Sequence, residues 1–182
     1  MNNIGQSAGK NLEWLAGFLE GDGSIGLGKH NQTSCKRIIY SPYIRFSNTD
    51  ALLIENCYKI LDELDLQYWI SAKQTKNGTA WDLSVKGFKR CKKVLPLLIP
   101  YLVGKKKKRA ELVLEWIESR EKTGNHKTYT QRELEIYTII KELNDPSYPQ
   151  RLHARPLNNE GEDIVRTVQK CAELSRNAIA LL

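Results

Sequence analysis

The stretch "WLAGFLEGDGSIGLG", Trp14 to Gly28, changes character halfway. Up to Gly21 the apolar residues Leu12, Leu15, Ala16 and Leu19 recur at helical spacing, and Asn11 stands where an N-cap would. From Ser24 onward, small residues alternate with Ile25 and Leu27, the pattern of a strand. Between the two sit Glu20 and Asp22, at a helix C-terminus whose dipole disfavours negative charge. A plain reading needs only a helix ended by glycine, with Asp22 in a turn. Three details strain it. Gly17 and Gly21 are four apart on one helical face, although glycine inside a helix costs about 1 kcal/mol relative to alanine. Ala16 flanks that face. Finally, both acids sit where a close backbone contact would form, and close contact is what such a glycine stripe permits.

If the approaching backbone is a second copy of the same helix, two helix ends meet at a two-fold axis and two copies of Asp22 converge. Leu15, Ala16, Gly17, Glu20 and Gly21 would then line the dimer interface. Paired carboxylates beside free backbone carbonyls suit a hard divalent cation such as Mg²⁺ or Mn²⁺. Such a centre supports phosphodiester hydrolysis, and the cation offsets the misplaced negative charge.

Outward from this stretch, the chain reads as two hairpins, each followed by a helix. A first strand runs from about Ser24 to His30 and a second from about Lys36 to Ser47. In the second, Ile38, Tyr40, Pro42, Ile44 and Phe46 share one face, and the more polar face opposes it. Asn48 or Thr49 can cap a helix reaching about Leu64, with Leu52, Leu53, Cys57, Ile60, Leu61 and Leu64 as its stripe. "QYWISAKQ" and "TAWDLSV" flank "TKNG", a hairpin signal. A helix from about Gly87 ends near Pro96 and Pro100. "GKKKKRAELVLEWIESR" opens the next, with Leu112, Val113, Trp116 and Ile117 buried. "TYTQRELEIYTIIKELND" reads as a further helix, then come a Pro-rich basic loop and a last helix. The expected class is α+β with a mainly antiparallel sheet.

Lys and Arg total 28 against 21 acids over 182 residues, a formal charge of +7 that favours a polyanionic partner. The four cysteines, Cys35, Cys57, Cys91 and Cys171, form no CxxC pair, which argues against a zinc ribbon or redox motif. The scatter fits a reducing compartment. The polar opening "MNNIGQSAGKN" does not read as a signal peptide, and no apolar run is long enough to span a bilayer. The expectation is a soluble, intracellular protein of a microbial cell or an organelle, with no membrane partner.

"LAGFLEGDGS" resembles the defining motif of the LAGLIDADG homing endonucleases, agreeing at Leu15, Ala16, Gly17, Asp22 and Gly23 and departing at Phe18, Leu19, Glu20 and Gly21. The element order is similar to that family's αββαββα core with its concave four-stranded sheet. One copy of the motif is present, so the resemblance is to the single-motif branch, which works as a homodimer. It extends over 1–182 as one domain, with a core of about 11–122 and a C-terminal helical extension of about 128–182.

The resemblance implies a site-specific endonuclease. It would bind a long near-palindromic DNA duplex and hydrolyse both strands with divalent metal, leaving short 3′ overhangs. Asp22 would hold the metal together with the carbonyl of Gly21. Lys106, with Lys105 next, would occupy the position of an active-site lysine, and the remainder of Lys105, Lys107 and Lys108 would contact phosphates. Asp50 stands at the site periphery, or else is simply a helix cap. The same fold also serves RNA maturases and non-cleaving DNA-binding proteins, so RNA remains a possible partner.

A β-ribbon fits the major groove. The period-2 register puts Ser24, Gly26, Gly28 and His30 on the outward face of the first strand. Arg37, Ser41, Tyr43, Arg45 and Ser47 follow on the second. Ser71, Lys73, Lys76, Asn77 and Asp82 follow on the second hairpin. Glycines on this face either let the duplex come close or bend the strand. Arg151, His153 and Arg155 in the Pro-rich loop are expected on backbone phosphates.

Overall fold

The computed structural model describes residues 4–32, 37–76, 78–124 and 127–145. Ten elements follow one another: α1 (Ile4–Asp22), β1 (Gly23–Gln32), β2 (Arg37–Asn48), α2 (Ala51–Glu63), β3 (Trp69–Thr75), β4 (Gly78–Lys86), α3 (Phe88–Leu98), a 3₁₀ turn (Ile99–Tyr101), α4 (Gly104–Thr123) and α5 (Gln131–Asn144). The sheet order is β1-β2-β4-β3, and every neighbouring pair is antiparallel. This is the α+β arrangement expected from the two hairpins.

Alternation builds the core. Ile25, Leu27, Tyr40, Pro42, Ile44, Phe46, Leu83 and Val85 point to one side of the sheet and are buried beneath the helices. From α4, Leu112, Val113, Trp116 and Ile117 meet them, as their spacing predicts. Ile38, farther out on the first hairpin, is exposed. In α2 the buried set is Ile54, Cys57, Ile60 and Leu61, whereas Leu52 in the first turn lies in solvent. β3 is an edge strand exposed along its whole length.

Several boundaries differ from the periodicity. α1 starts at Ile4, so Asn11 is no cap; its amide donates to Glu63 Oε2 at 2.8 Å and ties α1 to α2. The cap of α2 is Asp50, whose carboxylate accepts from Leu52 N at 2.9 Å, rather than Asn48 or Thr49. Pro96 lies inside α3, which continues to Leu98. α1 passes into β1 with no intervening loop, and glycine is required there. A Cβ on Gly23 would come within 2.3 Å of Leu19 Cδ1 and 2.8 Å of the Leu19 backbone.

Cys57 and Cys91 are buried free thiols, pushed up to about 12 by burial, and therefore poor nucleophiles. No helix among the described residues is long and apolar enough to cross a membrane.

Candidate active site and nucleic-acid interface

The two acids of the opening motif do different things. Glu20 turns away from the end of α1 and accepts from Val103 N, at the start of α4, at 2.9 Å. In return, Lys106 in the first turn of α4 donates to the carbonyls of Leu19 and Glu20. Those carbonyls belong to the last turn of α1, where intrahelical partners run out, so a cation is favoured there. The pair clasps the C-terminus of α1 to the N-terminus of α4. Burial holds the Lys106 ammonium below its ordinary pKa, and Arg109 pushes the same way, while the charges of Glu20 and Asp22 oppose them. Of the four consecutive lysines, Lys106 is the one that reaches α1; Lys105 and Lys108 are exposed and Lys107 is half-buried.

Asp22 remains exposed, with Asn48 Nδ2 donating to its Oδ2 at 2.6 Å. Asn48 in turn accepts from Asp50 N at 2.8 Å. Asp50 is thus a helix cap whose backbone also orients Asn48, and Asn48 orients Asp22. Asn48 is a residue the sequence reading used only as a possible cap. Nothing in its spacing marks it, because its partner is 26 residues away. Arg109 was also missed. It is buried one turn beyond Lys106, and its Nη1 donates to the side-chain oxygen of Asn144 at the end of α5.

The exposed carboxylate of Asp22 and the backbone around the exposed Gly21 offer oxygen donors, the set a hard cation such as Mg²⁺ prefers. One chain supplies only part of a cage. Among the described residues no group of three or more His, Cys, Asp or Glu side chains gathers into a metal site.

The interface expectation splits. Leu15 and Ala16 are fully buried in the chain's own core and are unavailable to a partner, because they lie on the inward stripe of α1. Gly17 and Gly21 are exposed, and a Cβ on either would meet nothing within 4 Å. The free stripe of α1 runs through Lys10, Glu13, Gly17 and Gly21, flanked by the half-buried, stacked rings of Trp14 and Phe18.

The outer face of the sheet carries the set expected from alternation. Register pairs Ser24 with Arg45, Gly26 with Tyr43 and Gly28 with Ser41. It continues through Arg45 with Ser84 and Ser47 with Asp82 to Ser71 with Asp82 and Lys73 with Ala80. Arg45, Ser71 and Lys73 are exposed, as is His30; Ser24, Ser41, Tyr43, Ser47 and Asp82 are half-buried. Asp82 accepts from the hydroxyl of Ser47, and Arg45 lies 5.6 Å from the centre of the Tyr43 ring. The register adds Trp69, Ser84 and Lys86 to this face.

The two glycines are not open to a ligand. A Cβ on Gly26 would meet Tyr43 Oη at 3.1 Å, and one on Gly28 would meet His30 Nε2 at 3.1 Å. At both positions a ring on the same face of the sheet lies close over the glycine. Lys76 is exposed in the turn after β3, whereas Asn77, Arg151, His153, Arg155 and the last helix lie outside the described residues; Arg37 is described only in its backbone.

The family model of the LAGLIDADG-like domain matches residues 9–98, the span that holds most of α1, both hairpins and α2–α3. Residues 9–98 therefore carry a LAGLIDADG-like domain. The homing endonuclease I-CvuI, solved in complex with its target, shares the fold with a TM-score of 0.61 at 20% identity, over 91% of this chain and 96% of that one. The LAGLIDADG homing endonuclease I-LtrWI, solved bound to target DNA, gives 0.56 at 24% identity over 80% of this chain and 46% of that one. The meganuclease I-SmaMI, bound to uncleavable DNA, gives 0.57 at 20% identity, over 74% and 45%. The chain therefore spans nearly all of I-CvuI and less than half of the other two, which fits its single copy of the motif. No curated protein matches it.

Proposed function

We propose that this chain is a homodimeric, divalent-metal-dependent DNA endonuclease that cuts both strands at the centre of a near-palindromic site. The observation that carries the reading is Asp22: an exposed carboxylate at the end of a helix whose free face is a glycine stripe. A second α1 packed on Gly17 and Gly21 would bring a second Asp22 alongside the first. Two-fold protein symmetry then calls for two-fold symmetry in the target.

When bound by the two Asp22 carboxylates and the Gly21 carbonyls, Mg²⁺ would supply Lewis-acid stabilisation of phosphoryl charge. The residues of the chain set the stage for it. Asn48 holds the Asp22 carboxylate in one orientation. Lys106 and Glu20 hold the last turn of α1 against α4, and the Lys106 ammonium, which interacts electrostatically with Asp22, would stabilise transition-state charge. The sheet's outer face, with Arg45, Lys73 and Lys86 against the single Ser47-bound acid Asp82, would lie along the major groove. The lysines beginning α4 and the basic loop with Arg151, His153 and Arg155 would take backbone phosphates. Cleavage across the minor groove with short 3′ overhangs follows from the family likeness.

The test is a cleavage selection on a randomised duplex library with Mg²⁺, run beside Asp22→Asn. The expected result is a near-palindromic consensus cut centrally by the wild type alone. Enrichment by binding, with no cut ends from either protein, overturns the endonuclease reading in favour of a maturase or a non-cleaving DNA-binding protein.

A further inference from the structure

The first hairpin reaches beyond the sheet that carries it. β1 pairs with β2 from Gln32 back to Gly23, but β4 pairs with β2 only over Tyr43–Asn48. Gly87 N adds one more contact, donating to Pro42 O at 3.0 Å. From Ser41 outward, among the described residues, β2 has a strand on one side only. Backbone groups of residues two apart in a strand point to the same side, so the N–H of Tyr40, like the carbonyl of Pro42, faces the side that β4 has left. Unpaired, it would be a buried donor without an acceptor.

It is not left unpaired. Tyr40 N donates to Tyr129 Oη at 3.0 Å. A side-chain hydroxyl from the α4–α5 connection takes the next rung of the ladder. The Tyr40 ring is held from the same direction, edge-on to Tyr129 with centroids 4.9 Å apart and 4.4 Å from Tyr137 of α5. Tyr129 is itself fixed. The Arg120 guanidinium lies 4.6 Å from its ring centre. That guanidinium also donates to Gly124 O at 2.7 Å and Lys127 O at 3.1 Å, and pairs with the buried Glu133 at 3.2 Å. Directly on the other face of the hairpin, flanking Tyr40, are Ser41 and Ile39, with His30 opposite Ile39.

We infer that Tyr129 is a specificity-positioning residue: it sets the position of the overhanging half of the β1–β2 hairpin and so governs base discrimination at the outer positions of each half-site. The inference rests on the DNA-reading role proposed for the sheet. β1 begins beside Asp22 and runs outward to Gln32, so Ser24 and Arg45 lie near the cut and His30 and Ser41 far from it. Tyr129 touches no DNA on this account and acts only through Tyr40.

The test is Tyr129→Phe, which keeps the ring and removes the hydroxyl. Wild type and variant are assayed as full-length proteins on the selected target and on every single-base substitution of it. The expected result is about a tenfold loss of discrimination at outer positions. Inner positions and the slope of affinity against salt should be unchanged, while the unfolding midpoint falls modestly because the buried Tyr40 N–H loses its acceptor. Equal loss at inner and outer positions would show a merely structural role and overturn the inference. So would a profile identical to wild type. A wild-type protein with no base preference at any position would overturn the DNA reading as well, which separates the two failures.

Discussion

α4 is tied to a neighbouring helix by charged side chains at each end, and the two ends are built on opposite plans. At its C-terminal end Arg120 and Glu133 are almost wholly buried, with side-chain exposures of 1% and 0%. Every part of that pair is answered from within the chain. Ser119 donates to Glu133 Oε1, Thr130 N to Oε2, and carbonyls of the connection accept from Arg120. At its N-terminal end Lys106 and Glu20 clasp α1, but next to them Asp22 lies exposed and Gly21 faces open space. A polar group satisfied inside the fold serves the fold. One left exposed at the end of a helix, where its charge is disfavoured, is where the proposed cation would bind.

The contrast can be broken most severely at its closed end. Arg120→Met leaves the Glu133 carboxylate buried without its cation. It should cost about 3–5 kcal/mol of unfolding free energy in a denaturant titration. A loss below about 1 kcal/mol would show that the pair is dispensable to the fold. At the open end the effect should fall on activity instead. Asp22→Asn should lower cleavage by about 10²–10³-fold while leaving unfolding within about 0.5 kcal/mol of wild type; unaltered cleavage would remove Asp22 from the mechanism. Gly17→Leu tests what covers the open face. Because a Cβ there meets nothing within the chain, the monomer should fold normally. Sedimentation should show self-association weakened at least about tenfold, and an unchanged dimer would place the interface elsewhere.

The smallest expected effect is in pH. Burial pushes the Glu133 carboxyl up, but the bonds from Thr130 and Ser119 and the Arg120 charge outweigh it, so its pKa lies below the ordinary carboxylate value. A carboxylate depressed in the folded state contributes stability above its unfolded pKa and loses it as pH falls through the folded one. Stability should therefore decline on acidification below the usual carboxylate range. Glu133→Gln should flatten that part of the profile, and a profile of unchanged slope would assign the decline to other acids.

Much of this was legible along the chain, for reasons that can be named. Strand alternation has a period of two and survives without knowledge of neighbours. The faces of β2 and of the second hairpin therefore came out as Arg45, Ser71, Lys73 and Asp82 outward, with Ile44 and Phe46 inward. The glycine stripe of α1 pointed to a free backbone at Gly17 and Gly21, whereas Lys106, with Lys105 next, was singled out by the family resemblance and not by spacing. What failed were inferences about which stripe of α1 faces out. Leu15 and Ala16 were placed with the glycines because they neighbour them in sequence, yet helical periodicity turns them into the core. Gly26 and Gly28 were read as either letting the duplex come close or bending the strand, and the rings of Tyr43 and His30 lie close over them.

By itself, then, the sequence determined the order of elements, the two faces of the sheet and the acid at the end of α1, since each rests on local spacing. Only the tertiary structure decided the Asn48 bond to Asp22, the clasp of Lys106 and Glu20, the orphaned strand donor taken up by Tyr129 and the Arg109 link to Asn144. Those partners lie from 26 to 89 residues apart. Side-chain hydrogen bonds over such separations leave no periodic trace: a single polar atom reaching one distant partner depends on the packing of whole elements, which no local pattern encodes.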